Sequence, residues 1–395
     1  MSDLRARLRA LRGEAPPAEE ADAPAPLRDA RFAGPAAQLG AEVVEGPDGV
    51  HLRVRRRWPR GARHGATPVG GPGLAAPLRS WAERNAPVRG VDGPVVYIDT
   101  ETTGLSGGTG TYAFLVGVGV HDGDDFVVDQ VVLPGPEHER GYLTALHARL
   151  DGAAAVVSYN GASFDLPLLR TRFALHGLDD PLSGVPHLDL LPLARRLWRE
   201  RLPDCRLGTI EEHVLGARRS VRDVPGAEVP ARYRAFLRSR DALPLRGVLE
   251  HNRDDVVALS ALRSLLEARG VPGGGHDPDE ALAWARWLES VGDRAAALAH
   301  LAAIEAEHVE AAWHAGRLLR RAGRTGEALL RWRRLAEAGD PRGWIELAKH
   351  HEHRGGDLLA ALEATETARR LGGGAHDDLE RRRARLRTRL GRVDR

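Results

Sequence analysis

Two acidic residues stand one position apart at the end of an apolar run, in the segment YIDTETTGL at residues 97–105. Acids at positions i and i+2 of a strand project from the same face, which predicts that the carboxylates of Asp99 and Glu101 lie side by side. Two negative charges held this close repel each other, so a cation is expected between them. Divalent metal ions are the cations that such carboxylate pairs usually bind.

Two further segments carry acids that can join this pair. SYNGASFDLPLL places Asp165 after a predicted strand and loop, at the start of a predicted helix. EHNRDDVVAL places His251 and Asp255 four residues apart on one helix face, with Asp254 as the alternative acid on another face. Four carboxylates from three segments would hold two Mg²⁺ or Mn²⁺ ions, a pair suited to phosphodiester hydrolysis. If it reaches the attacking water, His251 would accept its proton as general base, a role that suits an imidazole because this group titrates near neutral pH.

Composition limits the class of protein. The 395 residues are 42% hydrophobic, enough for roughly two or three domains with cores, and the single cysteine excludes an internal disulfide and a cysteine-based zinc site. The sequence has no apolar run long enough to span a membrane and no apolar signal core, so a cytoplasmic protein without membrane contact is expected. Lys349 is the only lysine. The abundance of Arg, Ala, Gly and Pro indicates a GC-rich coding sequence, in which arginine clusters carry less functional meaning.

Charge is distributed unevenly along the chain. Residues 96–275 contain 20 Arg against 24 acids, although the whole chain has a formal charge of +2. An acidic segment that handles an anionic substrate needs metal ions to do so.

Local patterns divide the chain into segments. Three apolar runs, VVYID, AFLVGVGV and FVVDQVVL, precede the buried strand AAAVVSY and several helices, which predicts a mixed sheet flanked by helices. The predicted segments are a disordered Pro- and Ala-rich N-terminal segment, 1–38; a short β-hairpin region and linker, 39–93; the α/β domain, 94–270; a linker, 271–278; and an all-α helical-repeat domain, 279–395.

The C-terminal segment is weakly repetitive. Three stretches of helical spacing align with one another, and Gly292, Gly323 and Gly355 mark their turns at intervals of about 31–32 residues. A period of this length, with aromatic and small residues at fixed places, resembles tetratricopeptide helix pairs. The tryptophans at equivalent places, such as Trp284 and Trp313, are expected to pack between helices.

The motifs DTETTG, NGASFD and HNRDD resemble the three exonuclease motifs of the DnaQ-like, DEDD-type 3′–5′ exonucleases, which have a ribonuclease-H-like fold. Within that superfamily, the stretch from Val95 to Leu266 looks most like the YprB-like branch, because it also contains HLDLLPLARRLW, CRLGTIEEHVLG and VPGAEVP. The resemblance implies a ribonuclease-H-like exonuclease domain over 94–270, and the branch also resembles proteins with a tetratricopeptide-like C-terminal region.

The resemblance also assigns roles to the acids. It implies that the metal ligands are Asp99, Glu101, Asp165 and Asp255. The His-type members place their histidine five residues before the last Asp, whereas His251 lies four before it, the spacing of the Tyr-type members. His251 is therefore either the general base or an ordinary histidine of the helix surface.

Five other features each have two interpretations. HLRVRRRWPRGARH, with its six arginines, is either a nucleic-acid contact or a solvated strand, and GLSGGTGT is either a loop that lets a nucleic-acid backbone approach or a plain flexible loop. Asp189 either caps a helix or contacts metal or substrate, and Asn160 either shapes a turn or touches substrate. The histidines of KHHEH do not share one helix face, which favours a solvated helix over a metal site.

The sequence as a whole predicts a metal-dependent 3′–5′ exonuclease that hydrolyses terminal phosphodiesters of single-stranded DNA or RNA by a two-metal mechanism. The alternative is a catalytically weak or inactive nucleic-acid-binding scaffold whose helical repeats recruit a protein partner. The sequence does not distinguish DNA from RNA, because no residue is assigned to a ribose 2′-hydroxyl.

Overall fold

A computed structural model describes residues 30–85, 93–104, 110–219, 224–272 and 277–393. Its strands are β1 Glu42–Gly46, β2 Gly49–Trp58, β3 Arg63–His64, β4 Thr67–Pro68, β5 Val95–Thr102, β6 Ala113–Asp122, β7 Asp125–Val132, β8 Ala155–Ser158 and β9 His187–Asp189. Seven of them form one sheet in the order β1-β2-β7-β6-β5-β8-β9, while β3 and β4 form a separate hairpin. In this order, neighbouring strands pair antiparallel from β1 through β2, β7 and β6 to β5, and β8 pairs parallel with both β5 and β9. The predicted mixed sheet is confirmed.

Helices cover both faces of this sheet. They are α1 Ala33–Leu39, α2 Ala76–Ala82, α3 Glu139–Leu150, α4 Asp165–Leu175, α5 Leu190–Trp198, α6 Leu207–Ile210, α7 Val229–Ser239 and α8 Arg246–Arg269. α6 continues into a π-helical turn, Glu211–Leu215. Side chains alternate along β5, so that Val95 and Tyr97 enter one core and Val96 and Ile98 enter the other.

Helix α8 approaches the sheet closely over β6. A Cβ on Gly117 would lie 2.5 Å from Asn252 Oδ1, and a Cβ on Gly119 would lie 2.6 Å from Val256 Cγ1. The alternating glycines of AFLVGVGV therefore leave the space that α8 needs. Because Gly117 is the partner of Asp99 in the β5–β6 ladder, this approach brings α8 directly over the acidic end of β5.

The residues before β5 belong to the same fold, unlike the expectation of a separate region. β1 and β2 form the predicted hairpin, but β2 also pairs with β7 and so extends the main sheet. The stretch GATPVGGPG, residues 65–73 of the region expected to be a hairpin and linker, contains β4 and packs on α8, where the Gly70 amide donates to Ser260 Oγ at 3.2 Å. Of the segment expected to be disordered, residues 1–29 lie outside the described residues, whereas α1 and a preceding 3₁₀ turn are ordered because Phe32 and Leu39 are buried apolar anchors.

The C-terminal part consists of successive helix hairpins. Its helices are α9 Pro278–Val291, α10 Arg294–Ala302, α11 Val309–Arg321, α12 Thr325–Glu337, α13 Pro341–His350, α14 Leu358–Arg370 and α15 His376–Val393. Asp277, Asp293 and Asp357 cap the starts of α9, α10 and α14 through their side chains. The third turn differs from the expectation by one position, because the left-handed residue is Gly356, at φ 69°, rather than Gly355.

The two parts share a core. Trp284 and Trp287 of α9 are fully buried in the apolar cluster that also contains Tyr97 and residues of α8. The indole of Trp81, on α2, lies 6.1 Å from that of Trp287 between ring centroids. The expected inter-helix packing role of Trp284 agrees with this arrangement, which also attaches the helix hairpins to the sheet domain.

Candidate functional site

Four predicted acids converge where β5, α4 and α8 meet. Asp99 and Glu101 lie near the end of β5, Asp165 is the first residue of α4, and Asp255 lies in the middle of α8. Burial raises the pKa of Asp99 well above its usual range, and the charges of the other three carboxylates raise it further. The structure thus brings together all four acids that the sequence singled out.

Asn252 holds the carboxylate of Asp99 in place. Its Nδ2 donates to Asp99 Oδ2 at 2.8 Å and to the Asp99 carbonyl at 3.0 Å. Its Oδ1 accepts a hydrogen bond of 2.8 Å from Gln130 Nε2, which also donates to the carbonyl of Leu249 at 2.7 Å. Neither Asn252 nor Gln130 was predicted as a site residue from the sequence, although Asn252 belongs to the HNRDD motif.

Asp165 is placed by a loop that Asp189 organises. The Asp189 carboxylate accepts from the amides of Asn160 at 2.8 Å and Ala162 at 3.1 Å, and it caps α5 through the Leu191 amide. Asn160 has a left-handed φ of 66° in this turn. Both residues therefore shape the loop, which agrees with the turn interpretation of Asn160 and the capping interpretation of Asp189. The Thr100 hydroxyl then donates to the Asp165 carboxylate.

A residue that the sequence did not indicate, Arg219, connects Asp255 and His251. Its guanidinium forms an ion pair with Asp255 and places Nη1 3.0 Å from His251 Nδ1, while His251 Nε2 lies 3.7 Å from Asp255 Oδ2. Arg219 Nε also donates to Glu211 Oε2 at 2.6 Å, and Glu211 Oε1 lies 2.8 Å from His64 Nε2. Glu211 is only 1% exposed and lies in the π-helical turn, so a buried carboxylate fixes the position of the Arg219 guanidinium.

Asp254, the alternative acid, points to a different partner. It forms its ion pair with Arg253 at 2.7 Å. Asp255, by contrast, is buried and lies beside His251, which agrees with the four-residue spacing on one helix face. The geometry therefore favours Asp255 over Asp254 as the member of the cluster.

The cluster contains more negative charge than its surroundings neutralise. Burial raises the pKa of Glu101 to about 8, and the charges of Asp255 and Asp165 add to this rise. Burial also raises the pKa of Asp165 and of Asp255 to about 6, although the Arg219 charge opposes the rise at Asp255. Carboxyl groups with raised pKa values in a cleft are typical of functional sites.

The donor set fits a hard divalent cation. All four side chains offer carboxylate oxygens, the ligands that Mg²⁺ and Mn²⁺ prefer, and Glu101 Oε1 is buried without a hydrogen-bond partner. Within the described residues, no three His, Cys, Asp or Glu side chains are close enough together to coordinate an ion as they stand. Asn252, Thr100 and Arg219 each bind one carboxylate of the cluster, at Asp99, Asp165 and Asp255 respectively.

Two clefts open beside the cluster. One, of about 430 Å³, is lined by Glu101, Asp165 and Phe164, whose ring is 55% exposed. The other, of about 750 Å³, is lined by Asp255, His251 and several polar residues of the segment 204–219. Three of the four acids therefore line an accessible cleft, and Asp99 lies among them without lining either one.

The other sequence features have plainer explanations. On β2, Arg53 pairs with Asp129 at 2.6 Å and Arg57 with Asp122 at 2.7 Å, which favours the solvated strand over a nucleic-acid contact. In KHHEH the buried acid Glu352 pairs with arginines of α15. Residues 105–109 of GLSGGTGT lie outside the described residues.

Comparison with known proteins agrees with this architecture. Residues 96–267 match the RNase_H_2 model of the RNase_H superfamily. Residues 96–267 therefore form a ribonuclease-H-like domain, a nuclease fold, and members of this superfamily typically use divalent metal ions.

A curated relative narrows the family. The chain is 33% identical over 286 residues to "Uncharacterized protein YprB" of Bacillus subtilis (strain 168), an alignment that covers 68% of each protein. The chain therefore belongs to the YprB-like family within the superfamily. Among solved structures it matches the family B DNA polymerase from the hyperthermophilic archaeon Pyrobaculum calidifontis, at 15% identity and a TM-score of 0.35, over 74% of this chain and 49% of the polymerase. The chain thus spans about half the length of that polymerase. No helix in the described ranges is long and apolar enough to cross a membrane.

Proposed function

We propose that the protein is a metal-dependent 3′–5′ exonuclease that hydrolyses terminal phosphodiesters of single-stranded nucleic acid. The observation that carries the proposal is the convergence of four carboxylates from β5, α4 and α8 beside two clefts, in a domain of the ribonuclease H superfamily. A pure binding protein has no need for so much negative charge where an anionic substrate would lie.

The carboxylates would hold two Mg²⁺ or Mn²⁺ ions. This set consists of Asp99, Glu101, Asp165 and Asp255. The ions, when bound, would supply an activated attacking water and stabilise the departing 3′-oxygen. Asn252 keeps the Asp99 carboxylate oriented, because it binds both the carbonyl and a side-chain oxygen of that residue. Glu101 Oε1 is available as a ligand, since it has no hydrogen bond to give up.

His251 is the candidate base, under one condition that the structure sets. An arginine has no acceptor, so in the neutral tautomer whose Nδ1 accepts from Arg219 Nη1, at 3.0 Å, the ring proton is on Nε2. The ring then has no free lone pair for the proton of a water. Movement of Arg219 would free the imidazole and the Asp255 carboxylate together, because one guanidinium holds both.

Phe164 supplies a surface for a terminal base. Its ring is 55% exposed in the cleft that also contains Glu101 and Asp165. Aromatic rings exposed beside a catalytic cluster bind single-stranded nucleic acid by stacking, a contact that tolerates any base. This placement is consistent with attack at a frayed terminus.

The test is degradation of 5′-labelled single-stranded DNA and RNA in Mn²⁺, Mg²⁺ or EDTA. A ladder that shortens from the 3′ end, and that EDTA and Asp99→Ala abolish, is the expected result. Asp255→Ala and Asp254→Ala form a matched pair of neighbours, of which only the first should abolish cleavage. Equal activity of these two variants, or cleavage in EDTA, would contradict the assignment.

A second candidate is the inactive nucleic-acid-binding scaffold whose helix hairpins recruit a protein. The observation that favours it is the ion pair of Arg219 with Asp255, which leaves that carboxylate occupied. Intact DNA and RNA with every metal, together with retained binding of the same oligonucleotides, would support this scaffold.

A further inference from the structure

Ion pairing separates the arginines of this chain into two groups. Three of the four arginines on β2 contact acids, since Arg53 pairs with Asp129 and both Arg55 and Arg57 contact Asp122, whereas Arg56 bonds to a backbone carbonyl. By contrast, across the described ranges no carboxylate lies within 4.0 Å of the exposed Arg195, Arg218 or Arg286. In an arginine-rich sequence the lack of a partner is more informative than the number of arginines, because clustered unpaired cations repel one another.

Three weakly paired arginines line a cleft between the sheet domain and the helix hairpins. This cleft, of about 510 Å³, lies between α5 and α9 and contains Arg195, Arg199 and Arg286. The nearest carboxylate to Arg199 is Glu200, at 3.9 Å, and both side chains are largely exposed. Two other arginines of the cleft are engaged elsewhere, since Arg201 pairs with Asp277 at 2.6 Å and the Arg196 guanidinium lies over the Trp81 ring at 5.2 Å.

This cleft adjoins the one beside the carboxylates. Arg199 and Arg201, which follow α5 directly, line the first cleft, and the chain continues from them to Cys205. The neighbours of Cys205 in the chain, Asp204 and Arg206, line the second cleft together with His251 and Asp255. The segment 199–206 therefore runs from one cleft to the other.

We propose that these arginines form a path that binds the phosphate backbone of single-stranded nucleic acid and leads it to the carboxylate cluster. The path consists of Arg286, Arg199, Arg195, Arg206 and Arg218, of which Arg206 lies 3.8 Å from the Asp204 carboxylate. It begins on α9, which gives the helix hairpins a part in substrate binding. The acids beside it are Glu200, Asp279, Asp204 and Glu212. The proposal depends on the proposed function for one point, the identity of the bound polymer. An acidic peptide is the other polyanion that such a path would bind.

The experiment measures binding without cleavage. Fluorescence anisotropy in EDTA follows fluorescein-labelled oligothymidylate and oligouridylate of about 20 nucleotides. The test variant is Arg195→Ala/Arg199→Ala/Arg286→Ala, and the matched control is Arg55→Ala/Arg57→Ala/Arg60→Ala, which removes the same charge from β2 and the turn that follows it. Circular dichroism confirms that both variants are folded, and a triple Arg→Lys variant at the test positions checks whether positive charge suffices.

We expect the test variant to lose at least about tenfold in affinity and the slope of log affinity against log salt to fall by about two, since each single-strand phosphate contact contributes about 0.7. The β2 control should change less than about twofold, and the lysine variant should recover most of the binding. Equal losses in both triples, or no loss in the test variant, would overturn the path. So would stronger binding of polyglutamate than of the oligonucleotides, which would assign the path to an acidic protein. Because no step needs hydrolysis, a protein that binds normally but never cleaves would refute the exonuclease and leave the path standing.

Discussion

Replacing Glu101 by glutamine should stabilise the metal-free protein. In the native state this side chain is partly buried among Asp255, Asp165 and Asp99, so its ionised form is disfavoured by burial and by like charge. Glutamine keeps the shape of the side chain, removes the charge, and offers an amide to the neighbouring carboxylates. A side chain selected for folding alone would not show this gain, whereas one selected to bind a cation would.

The magnitude follows from the pKa, which burial raises from 4.5 to about 8. Because the native state binds the proton more tightly than the unfolded chain, the stabilisation is complete below pH 4.5 and is lost as the pH rises toward 8. Each pH unit in this window lowers the free energy of unfolding by about 1.4 kcal/mol. At pH 7 the loss is about 3 kcal/mol, and Glu101→Gln should recover most of it.

Urea denaturation in EDTA between pH 5 and pH 8 tests this reasoning. The variant and the wild type should differ by less than about 1 kcal/mol at pH 5 and by about 3 kcal/mol at pH 7. Glu212→Gln, an exposed acid on the wall of the second cleft, is the control and should follow the wild type. Mn²⁺ should stabilise the wild type more than the variant, because a ligand of the native state adds its binding free energy. A difference that does not depend on pH would refute the account.

Four further outcomes are expected. Asn252→Leu should cost about 2–4 kcal/mol of unfolding free energy in urea, because the buried Asp99 carboxylate loses its donor. Gly117→Ala should cost about 1–3 kcal/mol in the same assay, since the new Cβ would meet Asn252 Oδ1 at 2.5 Å. Burial lowers the pKa of His51 from 6.5 to about 4, so the wild type should lose about 3 kcal/mol as the pH falls through this range, and His51→Gln should abolish that loss in acid titrations. Phe164→Ala should weaken oligonucleotide binding in EDTA about tenfold, because it removes a stacked base worth about 1–3 kcal/mol, and an unchanged affinity would exclude the ring from the site.

Local pattern was enough to predict the elements that carry the acids. The run VVYID has the length and β-branched content of a buried strand, and its alternation predicts which side chains share a face. The i, i+4 spacing of His251 and Asp255 correctly predicted that they face each other on α8. These predictions succeed because each depends on the side-chain periodicity of a single strand or helix, which can be read directly from the sequence.

Contacts between distant segments were not predictable in the same way. The pairing of β2 with β7 joins strands separated by more than sixty residues, and no local pattern indicates which strand a hairpin will pair with. Arg219 lies in an irregular segment after the π-helical turn, where no periodicity indicates the direction of a side chain. His64 reaches Glu211 only because the β3–β4 hairpin packs against that turn, where the Ala66 amide donates to the Leu215 carbonyl at 2.7 Å.

The arrangement around Arg219 provides a positive charge beside one of the four clustered acids. The sequence requires a cation between the carboxylates, and near Asp255 the structure supplies one as a guanidinium. That guanidinium has two carboxylate partners, of which Glu211 is the more deeply buried. If a metal takes Asp255, Arg219 keeps its Nε bond to Glu211 at 2.6 Å, so no buried acid is left uncompensated. One ion pair is then exchanged for another, which is a smaller cost than the creation of an unpaired buried charge.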